Sequence, residues 1–89
     1  MAIIITYDIP SRHVEFKKAM FEKGFTDKIV HQGKYIYLPN TTLYHETYTA
    51  KEGRDMTESV LYQMNVKLER FIATRWTDWA AIWGEPFNQ

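Results

Sequence analysis

Apolar and polar positions along the chain alternate between two periods, and the change of period marks the elements. Ala2 to Tyr7 is a β-branched, nearly continuous apolar run stopped by Asp8-Ile9-Pro10, which predicts a central strand covered on at least one face. Pro10 and Ser11 then lead into Arg12, His13 and Val14, predicting a helix with Ser11 as N-cap that closes at Gly24. At 100° per residue Val14, Phe21 and Phe25 share one side of this helix, while Phe16 and Met20 point to nearly the opposite one. A helix apolar on two sides has two surfaces to cover, and a sheet supplies only one of them.

Lys28 to His31 and Lys34 to Leu38 form a hairpin candidate about Gln32-Gly33. Thr41 to Tyr48, rich in Thr and Tyr, either extends the sheet as an edge strand, forms a β-like loop, or pairs with a neighbouring subunit. After a polar joint at Lys51, Glu52, Gly53 and Arg54, the helical spacing of Met56, Val60, Leu61, Met64 and Leu68 predicts a second helix. Phe71 to Trp76 reads as a last strand. Thr77-Asp78 then caps a short helix carrying Trp76, Trp79 and Trp83, ended by Gly84-Glu85-Pro86. Strand, helix, strand, strand, helix, strand is the ferredoxin-like α+β order, an antiparallel sheet with both helices on one face. The bare face needs a cover, and a second copy of the chain is the simplest one.

Composition sharpens this picture. At 89 residues the chain forms one domain spanning 1–89, and without cysteine no disulfide supports so small a core. An aromatic share of 16% exceeds what a monomer core of this size encloses, which adds to the case for a homodimer through the sheet. Eleven Lys and Arg balance eleven Asp and Glu, so affinity for nucleic acid must come from a local patch. Lys17, Lys18, Lys23 and Lys28 form the modest basic region expected to provide one, unless they are simply a solvated helix face. No apolar run reaches the ~20 residues of a membrane span, and the first apolar run ends too soon for a signal peptide, so the expectation is a cytoplasmic protein.

The chemistry-bearing residues are few. No phosphate-cradling glycine loop or nucleophile elbow is present, and His31 and His45 lie far from any metal-ligand pattern, so both read as strand surface. The three Trp could stack on unpaired bases, but packing in the core or at an interface is the simpler reading. Asp8, at a strand-to-helix junction, either forms an Asx-turn with the helix start or presents a carboxylate for chemistry. Tyr7 alternates away from it into the sheet packing. Arg12 could hold a phosphate and His13 could shuttle a proton, although first-turn positions are commonly plain surface.

A first strand ending in Tyr7-Asp8-Ile9 and a helix closing in Lys23-Gly24-Phe25 resemble the small CRISPR-associated endoribonuclease proteins of the adaptation machinery. Gln32-Gly33, Asp55-Met56 opening the second helix, Gln63-Met64-Asn65, and Trp76 running into Thr77-Asp78 resemble the virulence-associated protein D family, which shares that fold. Pro39 to Gly53 looks like an insertion relative to both. The resemblance implies a ferredoxin-like homodimer in which Asp8 faces its symmetry mate. It further implies a metal-dependent endoribonuclease with Asp8 as ligand to a shared Mg²⁺ or Mn²⁺, Arg12 and His13 as further catalytic contacts, and RNA as substrate. In a toxin-antitoxin setting such a ribonuclease would be neutralised by a protein partner. The competing expectation is a non-catalytic dimeric module that binds a protein or nucleic-acid partner.

Overall fold

In the computed structural model, which describes residues 2–86, the first apolar run is the strand β1 (Ile3–Asp8). Its alternation sends Ile3, Ile5 and Tyr7 into the core and leaves Ile4, Thr6 and Asp8 on the opposite face. Around it the chain builds α1 (His13–Glu22), β2 (Phe25–Thr26), β3 (Lys28–His31), β4 (Lys34–Tyr37), β5 (Thr42–His45), α2 (Ala50–Met64) and β6 (Arg70–Arg75). The architecture is α+β: an antiparallel four-stranded sheet of order β2-β5-β1-β6, two helices, and β3-β4 as a separate two-stranded sheet. This is broadly the expected ferredoxin-like order. Phe16 and Met20 of α1 join Val60 and Leu61 of α2 over Ile3, Ile5, Tyr7, Phe25 and Leu43 in one core, so both helices lie on the same face.

Several expectations are corrected. Thr42–His45 is an inner strand, bonded to β1 on one side and β2 on the other. The element inserted into the common order is therefore the β3-β4 hairpin, whereas Pro39 to Gly53 contains a core strand and the start of α2. The supposed polar joint forms the first turns of α2. Thr49 Oγ1 accepts from the Glu52 N–H and the Glu52 carboxylate accepts from the Thr49 N–H, a capping box that starts the helix well before Asp55. Gly53 then lets the helix sit close on the sheet, since a Cβ there would lie 2.5 Å from Ile3 Cδ1.

The N-cap of α1 is Arg12 rather than Ser11. Arg12 takes a left-handed conformation, φ 60°, and caps without its side chain, because a guanidinium has no acceptor for the first-turn N–H groups; its own N–H donors go to other partners. On α1 only the Phe16 and Met20 side meets the sheet. Val14 and Phe21 stay exposed, and Phe25 belongs to β2 and the core. Residues 76–86 form no helix. Residues 77–86 run back across the protein: Trp76 packs edge-on to Tyr44, Trp79 stacks on Trp76 and meets His31, and the Trp83 carbonyl accepts from the Tyr37 N–H. Ring packing on the sheet and hairpin satisfies these indoles better than a solvated amphipathic turn would.

His45, expected on the surface, is buried and ties three elements together. Its Nε2 donates to the Lys23 carbonyl at the end of α1, and its Nδ1 accepts from the N–H groups of Thr47 and Tyr48 ahead of α2. Its ring stacks on Tyr48 at 3.6 Å and meets the edge-on ring of Phe25. Gly24, φ +94°, passes directly over this imidazole, and a Cβ there would come within 2.9 Å of Nε2. Gly24→Ala is expected to lower stability by about 2 kcal/mol through backbone strain and displacement of His45, read as a lower urea midpoint at constant slope.

Candidate functional site

The open face of the sheet carries the acid singled out by the sequence. Asp8 closes β1 on the side away from the helices, with its side chain 48% exposed. Its Oδ2 accepts from Arg70 Nε at 2.6 Å, and the two residues face each other across the β1-β6 ladder. They border a shallow depression of about 220 Å³ lined by Thr6, Tyr7, Asp8, Arg70, Phe71 and Ile72. The expected Asx-turn at the start of α1 is not formed. The bond of the Asp8 carboxylate runs to a neighbouring strand, not to the start of α1. Sequence reasoning missed Arg70 because the pair spans 62 residues and exists only once the strand register is set.

Arg12 is turned to the end of α2. Its Nη1 donates to the Met64 carbonyl at 2.6 Å, while Nε and Nη2 grip the Glu15 carboxylate. The guanidinium therefore satisfies one of the carbonyls left open at a helix C-terminus, where positive charge is also favoured. The hydrogen bond from Arg12 holds the Glu15 carboxyl below its ordinary value. His13 is the exposed first residue of α1. Of the three site residues, Asp8 alone belongs to the open sheet face.

The donor set does not fit a divalent cation within one protomer. Mg²⁺ and Mn²⁺ need several oxygen ligands, whereas Asp8 offers one carboxylate with a guanidinium already bonded to it. No group of three or more His, Cys, Asp or Glu suited to a metal occurs among the described residues. Lys17, expected in an exposed basic region, is buried with Nζ on Asn40 Oδ1 at 3.3 Å. Lys18 and Lys23 remain exposed on or beside α1. Among the described residues no helix is long and apolar enough to cross a membrane.

Tyr7 packs as its alternation predicts, edge-on to Phe16 at 4.7 Å, but its hydroxyl is buried with no partner among the described residues. Burial, and to a smaller degree the charge of Asp27, push the phenol well above its ordinary value of 10.0, so it stays protonated. Comparison with protein-family models, with curated proteins and with solved structures returns no match.

Two predictions follow from these contacts. Tyr7→Phe keeps the ring contact and removes an unpaired hydroxyl, so stability is expected to hold or rise by up to about 1 kcal/mol in urea unfolding. Arg12→Ala is expected to lower the thermal midpoint at neutral pH and to flatten its acid dependence. The folded Glu15 carboxyl lies below its ordinary value of 4.5, so its contribution is present above that pH and lost on acidification below it.

Proposed function

We propose that this chain is a non-catalytic, ferredoxin-like module that pairs with a second copy of itself and binds a protein or nucleic-acid partner. The observation that carries the reading is the Asp8–Arg70 pair, in which the one acid that the described strands present on the helix-free face already has a guanidinium from a strand neighbour on it. The use of Arg12 to close α2 supports it as well. Self-pairing is supported by β6, a six-residue strand that among the described residues is bonded on one side only. The Trp76 N–H donates to the Ala2 carbonyl, so the even-numbered residues of β6 face β1 and the N–H and C=O groups of Phe71 and Ala73 point outward. Ile72, 66% exposed, stands at the middle of this edge, and such an edge is a template for another strand.

Two β6 strands joined antiparallel about a two-fold axis between Phe71 and Ala73 would hold their Asp8 residues about 15 to 25 Å apart, from strand spacing and rise alone. That is too far to share one ion. A metal-dependent ribonuclease with Asp8 as Mg²⁺ or Mn²⁺ ligand, and Arg12 or His13 on the RNA, requires the open faces themselves to meet. This second reading is favoured by one observation: Asp8 stands half-exposed at the end of the central strand on the helix-free face. The short motifs shared with the two endoribonuclease-like families support it too.

Two measurements separate them. Ala73→Pro removes an outward N–H without touching the β1 ladder, and is expected to convert a dimer into a folded monomer by light scattering. RNA incubated with Mn²⁺ is expected to remain uncleaved by the wild-type chain and by Asp8→Asn alike. Metal-dependent cleavage lost in Asp8→Asn, with the dimer intact, would establish the ribonuclease instead.

A further inference from the structure

The β3-β4 hairpin has a face that the fold does not use. Ile29 and Ile36 are buried and anchor it to the protein, while Lys28, Val30, Tyr35 and Tyr37 lie on the other face, as the pairs Lys28↔Tyr37 and Val30↔Tyr35 require. Val30 is 68% and Tyr35 53% exposed. The Lys28 ammonium sits 4.7 Å from the Tyr35 ring centre and 6.0 Å from that of Tyr37. Lys34, paired with His31, starts from the Ile29 and Ile36 side at the turn end, where its Nζ lies 5.4 Å from the ring centre of Trp83. A depression of about 180 Å³ lined by Val30, Gly33, Lys34 and Tyr35 opens at the turn end beside the exposed Tyr35 ring. From Lys28 to Leu38 the chain carries two Lys and one His and no acidic residue.

A ligand for this surface must bring flat apolar faces and negative charge together. We infer that the hairpin binds single-stranded nucleic acid, with unpaired bases stacked on Tyr35 and Tyr37 and phosphates held by Lys28 and, at the turn end, by Lys34. The inference deepens the binding-module reading by naming the class of partner, and rests on it only to that extent. The rings of Tyr35 and Tyr37 are 6.4 Å apart and tilted by 51°, so adjacent bases must splay to use both. An unpaired strand does this readily, whereas a duplex keeps its base faces hidden. An acidic peptide would match the lysines but leave the rings without a stacking partner. Because the whole chain is neutral, attraction is local, and the salt dependence should report only a few phosphate contacts.

The test is fluorescence anisotropy of a labelled twelve-nucleotide oligo-U, titrated with the full chain at several salt concentrations. Binding is expected, with a log–log salt slope near about −1.4 for two lysines at about 0.7 each. The corresponding duplex should bind at least about ten-fold more weakly. Tyr35→Ala should weaken binding by about ten-fold, Tyr35→Phe should retain it, and Lys28→Ala with Lys34→Ala should abolish the salt dependence. Tyr62→Ala, an exposed ring on α2, should change nothing. Circular dichroism checks each fold, and Tyr35→Phe and the lysine variants still decide the matter if Tyr35→Ala unfolds the hairpin. Absence of binding by the wild-type chain, equal binding of the duplex or of poly-glutamate, or indifference to the Tyr35 and lysine changes would overturn the inference. Dimer mass and RNA cleavage are read separately, so a failure here with the dimer intact leaves the wider reading standing.

Discussion

The two-residue alternation of β1 is the constraint on which the other features depend. With Ile3, Ile5 and Tyr7 committed to the helix side, register places Leu43 and His45 beside them from β5 and leaves Ile4, Thr6 and Asp8 on the other face. A slip of one residue would bury the Asp8 carboxylate under α1 and α2 and push three core side chains into water. The same alternation fixes which groups of β6 turn inward, and therefore which remain on its outer edge.

Charged groups in this protein are mostly occupied with holding it together. Arg12 closes the end of α2, Arg70 holds Asp8 across two strands, Lys51 and Arg54 hold Asp55, and Lys17 lies buried against Asn40. The exposed pairs among them add little stability one by one. Their effect is to fix geometry: the guanidinium of Arg12 joins the start of one helix to the end of the other. The hairpin differs in this respect, because its lysines have aromatic rings for partners in place of acids.

The sequence made legible what local pattern controls. The first strand, both helices, the hairpin and the last strand all follow from periodicity and glycine placement. The inward position of Tyr7 follows from parity alone. Features set by distant partners were hidden: Thr42–His45 has the composition of an edge strand, and only its two neighbours make it an inner one. His45 could have been found, since it shares parity with Leu43 and so turns to the same covered face. The Asp8–Arg70 pair and the fold-back of the tryptophan segment depend on long-range register and ring packing, for which the local sequence carries no signal. The early start of α2 was legible in Thr49 and Glu52, but Gly53 in the second turn disguised it as a joint.

The adjacency of β1 and β6 bears on how the chain acquires its structure. The central strand, made first, takes one of its two neighbours from residues 70–75, and the Trp76 N–H closes on the carbonyl of Ala2. Closing so long a loop carries an entropic cost that is recovered only when the sheet is complete. During synthesis the first strand must therefore wait, half-paired and apolar, until residues 70–75 have left the ribosome. The sheet then forms in a late, cooperative step instead of growing outward from its first strand.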